Sequence, residues 1–270
     1  MAVKGFRFWL LWFGLGVSTL VWADTPNFKM ALIIDDMGHN VQRGRKAINL
    51  PVPLTLAFLP NRHFTRALAK YGHNKGQEVI VHLPMENASG FPLGELGLTR
   101  NLNPEQRQQI LLEAISAVPY AVGLNNHLGS ELTRHREVMD WLMGELKLRD
   151  LYFIDSATTV ESVALQAAQD IGLPVLRRHV FLDNQLTAAE LDRQFQRAIR
   201  IGQKQGQVVV IAHPHPETLA FLAMRLPLAK QYDSVEFVQV SEMLAHQLPH
   251  LAAQIAAAKQ AKTQPASLAN

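Results

Sequence analysis

The stretch Met30-Ala31-Leu32-Ile33-Ile34-Asp35-Asp36-Met37-Gly38 decides the fold. Five consecutive apolar residues suit a strand that is buried on both faces, as in a parallel sheet. Two carboxylates follow the run directly. In α/β folds with parallel strands, catalytic groups collect where the strands end. The stretch therefore predicts a buried strand that carries functional side chains at its carboxyl end.

Seven more short apolar runs follow, and longer amphipathic segments separate them. The segment after Thr187 predicts a helix that ends before Gly206, and Asn103 with Pro104 predicts the start of another. Eight strands alternating with helices predict an α/β fold, either a (β/α) barrel or a near relative. A doubly wound open sheet is the alternative. The further strands are predicted at 54–58, 78–81, 121–124, 151–154, 174–176, 208–211 and 235–238.

The composition excludes several classes of protein. Of 270 residues, 48% are hydrophobic and 18% are charged, which excludes an intrinsically disordered chain. The 26 Lys and Arg nearly balance 23 Asp and Glu, and no basic stripe indicates a nucleic-acid partner. The chain has no cysteine, so disulfides, thiolate zinc sites and a cysteine nucleophile are excluded. Carboxylates and 11 histidines remain for chemistry.

Both ends of the chain differ from the body. Lys4 and Arg7 precede an uncharged run over 8–21, and Val21 and Ala23 fit signal peptidase cleavage, so 1–23 is predicted to be a signal peptide. An uncleaved anchor is the alternative, although the run is short for a hydrocarbon core of about 30 Å. We expect an exported, periplasmic protein without a membrane span after cleavage. The Ala/Gln/Lys-rich tail 249–270 is predicted to be disordered or a frayed helix.

Polar residues recur where the predicted strands end. Buried polar groups need partners, so this repetition is hard to explain by packing and predicts one site at the rim of the barrel. The candidate residues are Asp35, Asp36, His82, Glu86, Asn125, Asn126, His127, Asp155, Arg177, Arg178, Asp183, His213 and His215.

Carboxylates and imidazoles without thiolates suit a divalent metal such as zinc. A hydrolytic metal site needs about three protein ligands, an open position for water and a nearby base. One member of the pair Asp35 and Asp36 can bind the metal, while its neighbour points elsewhere and serves as the base. His82 and His127 are natural ligands from adjacent strands, and a histidine near residue 213 could protonate a leaving group.

Taken together, six segments resemble the divergent polysaccharide deacetylases, relatives of the carbohydrate esterase family 4 deacetylases. The resemblance covers about 29–243 and implies a distorted (β/α) barrel of seven to eight strands, which we assign to 24–248. It also implies metal-dependent N- or O-deacetylation of an acetylated polysaccharide or cell-wall glycan. The segments that carry it are Ile33-Ile34-Asp35-Asp36-Met37-Gly38, Val81-His82-Leu83-Pro84-Met85-Glu86, Val122-Gly123-Leu124-Asn125-Asn126-His127-Leu128-Gly129-Ser130, Phe153-Ile154-Asp155-Ser156, Phe181-Leu182-Asp183 and Ile211-Ala212-His213-Pro214-His215-Pro216.

The resemblance also implies roles for individual residues. The first Asp of the family's pair is the base and the second binds metal, which maps to Asp35 and Asp36. His82 matches the first histidine of the family's His-Ser/Thr-x-x-His motif, whose second histidine is replaced here by Glu86.

On the next strand, Asn125-Asn126-His127 replaces the family's Arg-x-Pro-Tyr motif, and we infer that His127 supplies the missing ligand. His213 matches the family's acid histidine, with His215 as the second candidate. Five residues are possible supporting groups, namely Glu86, Asn126, Asp155, Arg177 and Asp183.

Three functions compete at this point. The first is an exported, metal-dependent carbohydrate deacetylase. The second is a non-catalytic envelope protein that keeps the barrel and binds glycan or a protein partner. The third is another metal hydrolase, such as a phosphoesterase. The presence of both Asp35 and His213 favours an enzyme, whereas the altered second motif favours a binding protein. The sugar, the acyl group, the metal and the oligomeric state are left open.

Overall fold

The fold is taken from a computed structural model that describes Met1 and residues 28–245. The expected tail 249–270 and, apart from Met1, the expected signal peptide 1–23 lie outside the described residues. Within the described part of the chain, no helix is long and apolar enough to cross a membrane.

Over residues 28–245, nine parallel strands form one sheet that curls into an incomplete barrel, which confirms the predicted α/β barrel-like fold. The sheet order is β6-β5-β4-β3-β2-β1-β8-β7, and β9 pairs with β1. One strand more than predicted is present because β7 has only two residues, too few for an apolar run to reveal it. The strands are β1 Phe28–Met37, β2 Thr55–Phe58, β3 Glu78–Met85, β4 Gly123–Leu128, β5 Tyr152–Asp155, β6 Val175–Arg177, β7 Val180–Phe181, β8 Gln207–Ala212 and β9 Val235–Val238.

Helices connect most of the strands, and side-chain caps fix where some of them begin. Asn103 and Gln106 form a reciprocal capping box at the start of α3, and the Thr187 side chain accepts from Glu190 N at the start of α6. Gly206 ends α6 with a φ of 78°. The helices are α1 Val41–Ile48, α2 Thr65–Asn74, α3 Pro104–Ala117, α4 Arg136–Lys147, α5 Ala164–Asp170, α6 Ala188–Gln205, α7 Pro216–Tyr232 and α8 Val240–Met243.

The continuous apolar strands contribute side chains to two separate cores, one on each face of the sheet. Along β1, Leu32 and Ile34 pack in the core that contains the helices' buried side chains, whereas Ala31 and Ile33 belong to a smaller core inside the barrel. Because side chains alternate along a strand, the next residue on the inner side is Asp35. Apolar side chains fill the barrel interior below that point, so polar groups collect at its two ends.

The gap between the two ends of the sheet is bridged by two residues and not by a strand pair. Strands β6 and β7 lie at opposite ends of the sheet order, and only Arg178 and His179 separate them in the chain. Arg178 N donates to Asp155 O, and His179 N donates to Val209 O, both at 2.9 Å. These two bonds tie the connection to β5 on one side and to β8 on the other.

A buried carboxylate fastens the other end of the barrel. Glu78 Oε1 accepts hydrogen bonds from Thr55 Oγ1 at 2.8 Å and from Tyr152 Oη at 2.7 Å. The backbone N–H of Ser241, in α8, points at the same carboxylate from 3.3 Å. Burial raises the pKa of Glu78, although these hydrogen bonds oppose the rise. The network holds α8 against the base of the sheet.

The surroundings of two helical glycines predict opposite effects of a change to alanine on stability. A Cβ at Gly202 in α6 would lie 2.1 Å from the buried ring of Phe28, so Gly202→Ala should destabilise the fold by about 1–3 kcal/mol through overpacking. A Cβ at Gly144 in α4 meets nothing within 4 Å, so Gly144→Ala should stabilise by about 0.5–1 kcal/mol. Urea unfolding measures the free energy of unfolding of both variants. A change of the same sign and size in both would contradict the packing around the two glycines.

Candidate metal centre and proton-transfer site

The end of β1 brings two neighbouring carboxylates to the same place. The register of β1 on β2 shifts between Ile34 and Met37, and Asp36 has a φ of 54°. Such a left-handed backbone costs about 1–3 kcal/mol in a residue other than glycine, and it interrupts the alternation of side chains. Asp35 Oδ2 and Asp36 Oδ1 lie 3.6 Å and 3.3 Å from the same atom, His82 Nε2. The expectation that one of the pair points elsewhere is therefore wrong.

Asp36, His82 and His127 present three ligand atoms to one point. Asp36 Oδ1 lies 3.0 Å from His127 Nδ1 and 3.3 Å from His82 Nε2, and the two nitrogens are 3.1 Å apart. Asp36 Oδ1 is buried and accepts no well-directed hydrogen bond from any described residue. Ligands held at about 2.0–2.1 Å around a tetrahedral zinc ion stand about 3.3 Å apart, so this set fits such an ion.

Asn125 fixes the orientation of both a proposed ligand and the proposed base. This fully buried side chain makes two short contacts, from its Oδ1 to His82 Nδ1 at 2.7 Å and from its Nδ2 to Asp35 Oδ1 at 2.8 Å. An ionised Asp35 only accepts, so the amide N–H must face it and the amide oxygen must face His82. His82 then carries its proton on Nδ1 and leaves the Nε2 lone pair for a metal.

Asn126 was expected among the possible supporting groups, whereas Asn125 is the member of the pair that contacts the site itself. Asn126 Nδ2 donates to Leu128 O at 2.8 Å, and its Oδ1 accepts from Ser156 N at 2.9 Å, so Asn126 supports the loops at the rim. The alternation of β4 could have revealed the difference. Residues 125 and 127 share one side of the strand, and His127 was already a candidate.

The charges of this cluster follow from burial and from mutual contact. Burial raises the pKa of Asp35, and the nearby His82 and His213 reduce the rise without cancelling it. Burial also acts to raise the pKa of Asp36, but His127 and His82 outweigh it and hold that pKa well below its usual range. Asp36 is therefore the permanently ionised carboxylate, and Asp35 is the one that binds a proton more readily.

A second cluster of Asp183, His213 and His215 lies beyond the ends of β7 and β8. Asp183 Oδ1 is 2.9 Å from His213 Nδ1, and Oδ2 accepts from His213 N at 2.7 Å and from Thr218 Oγ1 at 2.9 Å. The ligand atoms of this cluster also lie within 4.8 Å of one another. Because both oxygens of Asp183 already accept hydrogen bonds, the cluster is better described as a histidine oriented by a carboxylate.

Asp183 also sets the charge of His213. Burial lowers the pKa of His213, but the hydrogen bond to Asp183 and the negative charge of Asp35 outweigh burial and raise it to about 9. His213 is therefore protonated at neutral pH and can donate a proton. His215 occupies the N-cap position of α7, and its ring centroid lies 5.9 Å from that of His213.

The remaining predicted residues contact the loops around the rim. Glu86 Oε2 accepts from Arg100 N at 2.8 Å, so the carboxylate that replaces the family's second histidine turns to the following loop. Asp155 Oδ1 accepts from Ala157 N at 2.8 Å, and Arg177 Nε lies 3.4 Å from Asp155 Oδ2.

Arg178 holds the adjoining loop in place. Its guanidinium donates to the carbonyl oxygens of Ser156 and Ala157 at 2.6 Å and 2.7 Å, and it lies 3.7 Å from the ring centroid of Phe181. Burial lowers its pKa to about 10. Arg178 was a candidate site residue, and these contacts give it a structural role at the closure of the barrel.

A cavity of about 240 Å³ opens beside both clusters. His39 and Arg43 line it, and sequence reasoning did not select either residue. They follow the strand by several residues and reach the site only because the chain turns back into α1, which no local pattern reveals. Other lining residues are Asp36, Met37, Gly38, Asn40, Gly44, His213, Pro214 and His215.

Sequence comparisons identify a matching family and two similar proteins. Residues 32–244 match the family described as divergent polysaccharide deacetylase. An uncharacterized protein of Escherichia coli K12, YibQ, is 38% identical over 194 residues, which are 72% of this chain and 61% of that protein. An uncharacterized protein of Haemophilus influenzae is 33% identical over 72% of this chain and 69% of its own length. The chain thus spans about three fifths of the first of these relatives.

Solved structures share the fold at low sequence identity. An uncharacterized protein of Agrobacterium tumefaciens C58 has a TM-score of 0.77 and 22% identity, covering 82% of this chain and 91% of that one. The catalytic domain of a peptidoglycan N-acetylglucosamine deacetylase from Eubacterium rectale has a TM-score of 0.52 and 13% identity, covering 78% and 87%. At these identities the likeness concerns the fold alone.

The two clusters predict different responses to substitution. His127→Ala removes one of three converging ligand atoms, so zinc affinity should fall by more than the roughly 10–100-fold cost of losing an outer partner. Asp183→Asn is the matched control, because the oxygens of Asp183 are already occupied, and it should keep zinc affinity within about twofold of the unmodified protein. Zinc titration with metal analysis measures both. The reverse pattern would assign the metal to the second cluster.

Proposed function

We propose, because the chain belongs to the divergent polysaccharide deacetylase family, that it is a metal-dependent enzyme that removes acetyl groups from a glycan. The observation that carries this proposal is the convergence of Asp36, His82 and His127 beside a buried carboxylate and an oriented, protonated histidine. A protein that only bound glycan would need neither proton-transfer group.

The proposed metal is divalent, and zinc suits one carboxylate oxygen and two imidazole nitrogens. Asp36 Oδ1, His82 Nε2 and His127 Nδ1 would hold it. When bound, the ion supplies Lewis acidity, which polarises the acetyl carbonyl and lowers the pKa of water.

Asp35 is the proposed general base. Asn125 holds its Oδ1, and its Oδ2 faces His82 Nε2 at 3.6 Å, beside the proposed metal position. Oδ2 can take the proton as water attacks the acetyl carbon. Burial, which raises the pKa of Asp35, makes the carboxylate a stronger base than an exposed aspartate.

His213 is the proposed general acid. Its Nδ1 is bonded to Asp183, so the proton on Nε2 is the one free to reach the leaving amine or alcohol. His215 borders the same cavity and is the second candidate.

The proposed place of action is the periplasm, because 1–23 have the pattern of a signal peptide. The proposed partner is an acetylated polysaccharide or cell-wall glycan, in keeping with the family.

Asp35→Asn should lower deacetylation by about 10²–10⁴-fold, because the amide has nearly the same shape but cannot accept the proton. Zinc content should stay unchanged, since Asp35 is not a proposed ligand. Acetate release from acetylated chitin or xylan oligosaccharides measures the rate, with phosphate esters assayed in parallel for the phosphoesterase alternative.

The same experiment tests the non-catalytic alternative. If the unmodified protein releases no acetate, and Asp35→Asn binds the oligosaccharide as tightly as the unmodified protein does, then the chain is a glycan-binding protein.

The acid role of His213 predicts a pH dependence with a defined sign. The group must be protonated to act, so the rate should fall as pH rises through about 9. Asp183→Asn removes the carboxylate that raises this pKa, so the fall should move toward the ordinary histidine value of about 6.5. Rate profiles between pH 5 and pH 10, at roughly saturating substrate, measure the shift. An alkaline limb that stays in place would remove His213 from the mechanism.

A further inference from the structure

A groove of about 550 Å³ runs between α1 and α7. Arg43 lines both this groove and the cavity that holds Asp36 and His213, so the groove leads to the proposed metal centre. Its other lining residues are Arg45, Lys46, Asn49, Leu50, Pro51, Pro216, Leu219, Ala220 and Ala223.

The groove carries positive charge on α1. Arg43, Arg45 and Lys46 lie on α1, and no acidic residue lines the groove. None of the three forms an ion pair with another described residue. Arginines elsewhere on the surface do so, such as Arg100, Arg136 and Arg193. Uncompensated cations in a concave surface raise the local concentration of anions.

A second guanidinium, that of Arg62, acts at the inner end of the groove, where Asp36 contributes the opposite charge. His39 lies in the cavity beside the metal centre, and burial together with the charges of Arg62 and Arg43 lowers its pKa despite the opposing charge of Asp36. Arg62, like Arg43, has no ion pair among the described residues. Two guanidinium groups therefore act on the space next to the reacting atoms.

The opposite wall of the groove is apolar. Leu219, Ala220 and Ala223 of α7 face the cations of α1 across it. Sugar rings combine apolar C–H faces with polar edges, so an apolar wall opposite charged donors matches an extended glycan that bears acidic groups. A guanidinium binds carboxylate or phosphate through two parallel hydrogen bonds.

We infer that the glycan substrate is anionic, and that Arg43 binds a carboxylate or phosphate on a sugar unit next to the one that is deacetylated. This inference rests on the proposed deacetylase function and adds the substrate class. Arg45 and Lys46 extend the same binding surface away from the metal centre. Neutral acetylated glycans fit the reaction but would leave the cations of the groove without an anionic partner.

The test compares three hexasaccharides on the full chain loaded with zinc. Chitin hexasaccharide is neutral, a hyaluronan hexasaccharide carries carboxylates, and a chitin hexasaccharide phosphorylated at O6 carries phosphates. Calorimetry gives the dissociation constants, and acetate release gives the rates. At least one charged probe should bind about tenfold or more tighter than the neutral one, and the preference should shrink when salt is raised from about 50 to about 300 mM. Which charged probe is preferred identifies the anion.

Arg43→Gln should reduce that preference to less than about twofold, whereas Arg43→Lys should keep part of it because the charge remains. Arg200→Gln is the matched control, since Arg200 is an exposed arginine of α6 that does not line the groove and has no ion pair among the described residues. It should keep the full preference. Unchanged melting temperatures would show that the variants fold.

The outcomes separate this inference from the proposed function. Equal affinity for neutral and charged probes, with acetate released from both, overturns the anionic substrate and leaves the deacetylase in place. A preference that survives Arg43→Gln overturns the role of Arg43. If no probe is bound or deacetylated while zinc still binds, the proposed function falls and the inference falls with it.

Discussion

The direction of the strands is the constraint on which the structure depends. All pairs in the sheet are parallel, so every strand ends at the same rim. Below the rim, apolar side chains such as Ile33, Ile80 and Ile211 fill the interior. A polar group placed among these apolar side chains would lack partners. Residues more than a hundred positions apart, such as Asp36 and His213, therefore border one cavity.

At that rim the neutral amide of one asparagine connects a proposed metal ligand to the proposed base. Asn125 contacts His82 through one atom and Asp35 through the other, so the orientation of a metal ligand and that of a base are not independent. A carboxylate in this position would repel Asp35, and an apolar side chain would leave two buried polar groups unpaired. The amide accepts from one partner and donates to the other without adding a charge.

Sequence patterns predicted what depends on local order. The double-sided burial of β1 and the residue types of Asp36, His82 and His127 follow from short segments, so the fold and the cluster could be anticipated. The bulge that turns Asp36 back toward Asp35 depends on the register with β2, and no single-strand pattern contains that information. Arg43 reaches the cavity through the path of α1. Such placements arise from tertiary packing, which local patterns do not encode.

The closure through Arg178 and His179 also affects how the protein meets other copies of itself. A sheet without a closing strand pair has an edge on each side of the gap, and unpaired edge strands can template pairing between chains. At this gap the edges are the three-residue β6 and the two-residue β7, the shortest strands of the sheet. The segment that joins them occupies backbone groups of β5 and β8. An incoming strand would find few free backbone N–H and C=O groups, so strand pairing between copies is disfavoured at the gap in the barrel.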